Sequence, residues 1–355
     1  MTRTRVLITG VGGFIGSHTA QWIIENTDWE VIGLDTWHPK HKGDKTRLGI
    51  QVYANVQTGR LKIYRVDLSV PISKVMENML LERQIVDGKI TEQPIDYIIN
   101  MASDSHVTRS VTDPEHCWLN NTQLILNMLE FARKNPVKSF IQVSTDEVYG
   151  DAGWTGAGHP EWDTIKPSNP YSASKAAQEA LAFSYWRTYD MPIVITNTMN
   201  VIGERQDPEK FLPMCLARIV TGKVINLHSD SEKRVASRVW LDAKNMAAAL
   251  LWILRNTKPA RYDEGRGAEL PDRYNIVGDV EMNVLDLANM IATMIEKQAV
   301  VKLVRGDDDR PGYDRRYALD GSKLKDLGFR YPFTFEDTIS RVVSWTLKHH
   351  EWLIT

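Results

Sequence analysis

An α/β fold on a doubly wound parallel sheet is what this sequence predicts, and two observations carry that prediction. Short apolar runs of strand length recur through the first half of the chain, separated by stretches of helical periodicity. The first run is followed at once by a glycine-rich turn that opens the first helix. Arg5-Val-Leu-Ile-Thr9 reads as a buried strand and Gly13 to Asn26 as an amphipathic helix. Glu30-Val-Ile-Gly-Leu34 is a second strand that ends on Asp35. Further strands end at Asp67, near Ala102 and at Thr145, and helices are expected over Asn121–Lys134 and Ser172–Tyr189. His38–Arg60 is polar and without a clear period, as in a loop with some helix. Beyond about residue 197 the alternation becomes irregular. The expected division is a Rossmann-type domain over 1–197, with returning segments near 235–257. A smaller, mixed α/β substrate-binding portion then covers 198–355.

Gly10-Val-Gly-Gly13-Phe14-Ile15-Gly16 lies between the first strand and the first helix. Glycines at 10, 13 and 16 allow a tight turn, close approach to a pyrophosphate, and packing of helix on sheet. The helix N-terminus then offers free N–H groups to phosphate. Asp35, about 20 residues on, is placed to accept the ribose 2′-hydroxyl and would repel a 2′-phosphate, so NAD is expected rather than NADP. Read as structure alone, the same residues are a turn and a surface carboxylate. Tyr171-Ser-Ala-Ser-Lys175 sets a phenol and an ammonium four residues apart on one helix face. The ammonium favours the phenolate and draws the phenol down from about 10, toward the range of a catalytic base. Tyr-x-x-x-Lys also occurs on solvated helix faces. Lys166-Pro-Ser-Asn-Pro170 stops any earlier helix and marks where this one begins.

A formal net charge of −2 gives no global drive toward nucleic acid or an anionic membrane. No apolar run approaches the roughly 18 residues of a membrane span. Met1–Gly10 passes straight into the strand pattern, so no signal peptide is expected. Cys117 and Cys215 form neither a disulfide framework nor a metal cluster. These readings fit a reducing cytoplasm and predict no resident metal.

The glycine triplet, Asp35, Asp67-Leu68, Asn121, Tyr171 and Lys175 together resemble the extended short-chain dehydrogenase/reductase family of nucleotide-sugar epimerases and dehydratases. The resemblance runs nearly the whole length of the chain. It is most specific at Ser144-Thr-Asp-Glu-Val-Tyr-Gly150, which is similar to the nucleoside-diphosphate-glucose 4,6-dehydratases. Ser105-His-Val107 with Arg109-Ser110, Pro208-Glu-Lys210, Tyr274-Asn-Ile276, Arg310–Tyr317 and the tryptophan-rich ending from Ser344 to Trp352 agree with that subgroup. The resemblance implies bound NAD, held by Gly10, Gly13, Phe14, Ile15, Gly16, Asp35, Asp67, Leu68, Ala102, Ser103, Tyr171 and Lys175. It also implies a homodimer joined through the helices Asn121–Lys134 and Ser172–Tyr189.

Such an enzyme oxidises carbon 4 of a hexose, eliminates water across carbons 5 and 6, and returns the hydride to carbon 6. The elimination wants two neighbouring carboxyl groups in different protonation states. By the resemblance Asp146 is the acid, Glu147 the base, Thr145 the partner of the 4-hydroxyl and Tyr171 the base for the oxidation. Against this stands a plain acidic loop after a strand, with Asp146 capping the next turn. Ser105 and Asn200 are implied for the sugar and diphosphate, Lys210 and Asn275 for the nucleotide, and Arg310 for the diphosphate. Singly, each could as well be a surface polar group. Tyr313 stands where the family usually has histidine. Arg234-Val-Ala-Ser-Arg-Val-Trp240 lacks the usual Arg-Asp before its aromatic, so either Arg234 or Arg238 replaces that phosphate contact. Thr36-Trp-His-Pro39 departs from the thymidine-diphosphate-glucose enzymes, which leaves base and hexose open. Family epimerases typically lack the Asp-Glu pair, and decarboxylases usually carry Ser-Glu there. A silent NAD-binding scaffold would be expected to lose Tyr171, Lys175 or the carboxylates.

Overall fold

The computed structural model describes residues 3–37, 59–262, 269–305 and 315–353. Strands β1 (Arg5–Thr9), β2 (Glu30–Asp35) and β3 (Leu61–Arg65) come first, with helix α1 (Phe14–Asn26) between the first two. Helix α2 (Lys74–Leu80) and a short hairpin, β4 (Gln84–Val86) and β5 (Lys89–Thr91), precede β6 (Tyr97–Asn100). Asp87 and Gly88, both at positive φ, turn that hairpin. Helices α3 (Val107–Thr112) and α4 (Pro114–Lys134) lead to β7 (Ser139–Val143), and α5 (Pro170–Tyr189) leads to β8 (Ile193–Thr198). Helix α4 starts seven residues before the expected Asn121, because Asp113 accepts from the His116 N–H and Pro114 occupies the first turn.

The remaining elements are β9 (Asn200–Ile202), α6 (Phe211–Thr221), β10 (Ile225–Ser229), β11 (Ser237–Asp242), α7 (Ala243–Asn256), β12 (Asp272–Ile276) and β13 (Val280–Asn283). They continue as α8 (Val284–Met294), β14 (Val301–Arg305), α9 (Ser322–Asp326) and α10 (Phe335–Lys348). The central sheet has seven strands in the order β12-β8-β7-β6-β1-β2-β3. Pairings from β8 through β3 are parallel, with Leu7 opposite Ile32 on one side and Ile98 on the other. The order reverses at β1, as a doubly wound sheet requires, so ligand chemistry belongs beyond the carboxyl ends of β1 and β6.

Two compact units divide the chain. The first is Met1–Ser144, Pro170–Asn197 and Leu250–Tyr274; the second is Thr145–Asn169, Thr198–Ala249 and Asn275–Thr355. The excursion after β7 therefore groups with the second unit, and the returning segment is 250–274. The polar stretch expected as a loop lies outside the described residues over 38–58. The second unit holds a three-stranded sheet, β13-β11-β9, and a parallel pair, β10-β14. Its core is Leu212, Leu216 and Ile219 of α6, Leu287 and Ile291 of α8, and Ile339 and Val342 of α10 around Trp240. A capping box at Thr334 and Asp337 fixes the start of α10. No described helix is long and apolar enough to cross a membrane. Cys117 and Cys215 are buried free thiols.

Candidate active site

In the first unit, the chain leaves β1 through Gly10, whose φ is +71°. A Cβ there would meet the Ala102 backbone at 3.1 Å, and one at Gly16 would lie 2.1 Å from the Gly10 carbonyl oxygen. Glycine is demanded at both positions. The Gly10 and Val11 N–H groups donate to the Leu34 carbonyl at 2.8 and 3.3 Å, tying the turn to β2. Gly13 begins α1 with no side-chain cap and no acid in the first turn, which leaves that helix end open to an anion. Asp35 ends β2, and its carboxylate accepts from the Gly12 N–H and the Trp37 N–H, both at 3.0 Å. Those bonds aim it back at the glycine turn. Phe14 and Ile15 are half-buried on the first turn of α1. Asp67 is exposed and accepts from the Ser69 N–H and hydroxyl. Leu68 is buried, its carbonyl held by Asn127.

A chain of buried side chains links this turn to α5. The Thr9 hydroxyl accepts from the Met101 and Ala102 N–H groups, setting the loop of Ala102 and Ser103, and donates to Asn100 Oδ1 at 2.8 Å. Asn100 donates to Gln142 Oε1 at 2.7 Å, and Gln142 donates to Gln178 Oε1 at 3.0 Å. Lys175 Nζ donates to that same Gln178 oxygen and to the Val143 carbonyl, each at 2.7 Å. Gln178 in turn donates to the Asn121 carbonyl. Asn121 bridges to Asp104 and Ser174. Tyr171 is buried on the same helix face as Lys175, and its N–H donates to the Ser110 hydroxyl. Burial draws the Lys175 ammonium down to about 8, against the pull of Glu179. Sequence reasoning named Tyr171, Lys175 and Asn121 but passed over Asn100, Gln142 and Gln178. For Asn100 and Gln142 the signal available was an amide in a strand run that is otherwise largely apolar. Ser105 is exposed, just ahead of α3.

The carboxyl pair belongs to the second unit. Thr145 caps a single 3-10 turn, Asp146–Val148, by accepting from the Glu147 N–H at 3.3 Å. Its hydroxyl donates to Asp146 Oδ1 at 2.9 Å. The other oxygen, Oδ2, is buried with no partner among the described residues. Burial, then the neighbouring Glu147 charge, lifts Asp146 to about 7, while the Thr145 bond and the Arg238 charge pull the other way. Glu147 is half-buried and accepts from the Asn169 amide at 3.0 Å. Side by side, one carboxyl is made hard to ionise and the other is held by a donor. That is the division an acid and a base need.

Arg238 is buried, its guanidinium donating to the Ser237 and Arg315 carbonyls and lying 4.5 Å over the Tyr317 ring. Arg234 is more exposed and already pairs with Asp230 and Glu232. Of the two, Arg238 is the one whose charge reaches Asp146. Asn200 opens β9, its Oδ1 buried without a partner among the described residues. Lys210 is the cap residue of α6. Asn275, expected at the nucleotide, is wholly buried, and both its amide hydrogens go to the His159 and Asp320 carbonyls. Only its Oδ1 is left to meet a ligand. Arg310 and Tyr313 lie outside the described residues, as do His38 and Pro39.

A doubly wound sheet with this glycine turn and a Tyr-x-x-x-Lys helix is the architecture of the extended short-chain dehydrogenase/reductases. Residues 7–342 match the family described as GDP-mannose 4,6 dehydratase, and the chain belongs to that family. The low-salt glycan biosynthesis protein Agl12 of Haloferax volcanii is 32% identical over 350 residues, covering 98% of this chain and 99% of its own. A dTDP-glucose 4,6-dehydratase of Escherichia coli is 32% identical over 382 residues, with 98% and 95% coverage. Among solved structures, the dTDP-glucose 4,6-dehydratase DesIV of Streptomyces venezuelae, with NAD bound, superposes with a TM-score of 0.80. It is 27% identical and covers 98% of each chain.

Proposed function

We propose that this chain is an NAD-dependent 4,6-dehydratase of a nucleoside-diphosphate hexose, forming a 4-keto-6-deoxy sugar nucleotide. The observation that carries the proposal is the adjacent pair Asp146 and Glu147, one buried and raised to about 7, the other bonded by an amide. The first unit's residues fit NAD: an uncapped helix end, a turn in which a Cβ at Gly10 or Gly16 would collide, and a carboxylate at the end of β2. Gly10, Gly13, Phe14, Ile15, Gly16, Asp35, Asp67, Leu68, Ala102 and Ser103 would hold it. Bound NAD supplies the taking of hydride from carbon 4 and its return to carbon 6.

Tyr171 removes the proton of the 4-hydroxyl, with the Lys175 ammonium favouring its phenolate and Thr145 bonding that hydroxyl. The ketone so formed acidifies carbon 5, and Glu147 takes that proton, which carbon 5 regains when hydride reaches carbon 6. Asp146, protonated because it is buried beside a like charge, gives its proton to the departing 6-hydroxyl, which leaves as water. The sugar-nucleotide contacts fall to Ser105, Asn200, Lys210, Asn275 and Arg310, and to Arg238 in place of the family's missing arginine. Two buried thiols suit a reducing cytoplasm.

The test is to incubate the purified protein with thymidine-, uridine-, cytidine- and guanosine-diphosphate hexoses and weigh the products. Loss of one water from one of them identifies the substrate. Glu147→Gln should then accumulate enzyme-bound NADH and release little product. A Glu147→Gln variant that turns over like wild type would replace the dehydratase reading with an epimerase.

A further inference from the structure

Two neighbouring carboxyls on one short turn titrate as a coupled pair, and nothing in Asp-Glu itself says which of them ionises first. The surroundings break that symmetry. Asn169 stands between Pro167 and Pro170, and a residue before proline is confined to extended backbone. The segment is fastened to the carboxyl turn at its other end, where the Lys166 N–H donates to the Val148 carbonyl at 2.9 Å. Gly150, at φ +80°, packs so closely there that a Cβ would lie 2.5 Å from the Lys166 carbonyl oxygen. From this anchored position the buried Asn169 amide donates to Glu147 Oε2 at 3.0 Å.

We propose that Asn169 is a positioning residue for Glu147, aiming its carboxylate and reserving the ionised form for it while Asp146 keeps the shared proton. The proposal rests on the dehydratase reading and adds to it what makes Glu147 the base. A donor N–H stabilises a carboxylate over its acid. Of the charged groups beside the pair, Glu147 and Arg238 act on Asp146, and Lys166 is exposed to solvent. Thr145 donates its hydroxyl hydrogen to Asp146 and accepts from the backbone N–H of Glu147. The Asn169 amide is thus a donor directed at Glu147.

Asn169→Ala and the isosteric Asn169→Asp test this, assayed on whichever of the dTDP-, UDP-, CDP- or GDP-hexoses loses water with wild type. A hydrogen bond to an ionised group corresponds to a shift of about one pH unit or more, so the acidic limb of kcat should rise by about that in Asn169→Ala. It should rise further in Asn169→Asp, where a second negative charge faces Glu147. At pH values well below the limb kcat should fall about ten-fold, following the same shift, with KM little changed. Exchange of the carbon 5 hydrogen with solvent deuterium should slow in step, and bound NADH should still form at the wild-type rate. Acidic limbs coinciding with wild type, or NADH formation slowed as much as exchange, would overturn the proposal. Should the alanine variant not fold, the aspartate variant decides alone. If wild type releases water from none of the four, the dehydratase reading falls and takes this role with it. Coinciding limbs in an enzyme that does dehydrate sink the role of Asn169 alone.

Discussion

In the proposed reaction Asp146 ties stability and catalysis to one titration. Its carboxyl, ordinarily near 3.8, is lifted to about 7 by burial and then by Glu147. Between those values the folded chain keeps a proton that the unfolded chain has released. The group's contribution to stability is therefore full below about 4 and is lost as pH rises through 7. Asp146→Asn is neutral at every pH, so it should melt higher than wild type at pH 8 and level with it near pH 4. Calorimetric scans across that range check this, and a gap that ignores pH would remove burial as the cause. In the same variant kcat should fall by about a hundred- to ten-thousand-fold, because an amide is a poor proton donor. At this scale much was legible: Asp146, Glu147, Tyr171 and Lys175 are reactive types at telling spacings. Asn169 was not, because its meaning lies in a bond across 22 residues of chain.

Among elements, α5 is held by more than its apolar face. Glu179 pairs with Arg273 of β12, with side chains only 2% and 1% exposed, and also accepts from Asn197 at the end of β8. One carboxylate thus joins α5 to two strands at an edge of the sheet. Removing one member of a buried pair leaves the other charge without its counterion, typically a loss of about 3–5 kcal/mol. Glu179→Ala should lose about that in urea unfolding. A loss below about 1 kcal/mol would mean the pair behaves as a surface one. The parallel strands β1, β2 and β7 were legible as apolar runs because they are buried on both faces. The start of α4 at Pro114 was written in Asp113-Pro114, a capping signal that the hydrophobic period does not register.

For the whole molecule, a homodimer remains the expectation, and burial sorts the residues available to it. Leu124, Met128 and Trp186 are buried within the protomer, and Leu126, Leu181 and Phe183 only partly so. Trp118 and Leu119 of α4 are 45% and 57% exposed. We propose that α4 and α5 pair with their symmetry mates through this exposed set. Light scattering at micromolar concentration should give the mass of two chains, and Trp118→Glu with Leu119→Glu should give one. A wild-type mass of a single chain would overturn the dimer.

By itself the sequence determined the alternation of strand and helix, the glycine turn, the Tyr–Lys spacing and the Asp-Glu pair. Each of these is local: a period, a backbone conformation only glycine tolerates, or two reactive groups within a helical turn. Tertiary structure alone decided which unit carries the segment 145–169 and which candidate arginine is buried near Asp146. It also decided that the amide hydrogens of Asn275 are committed to carbonyls and that Asn100, Gln142 and Gln178 link the glycine turn to Lys175. Those outcomes depend on burial and on hydrogen bonds between residues far apart in the chain. Desolvation and long-range pairing act only once the chain has folded.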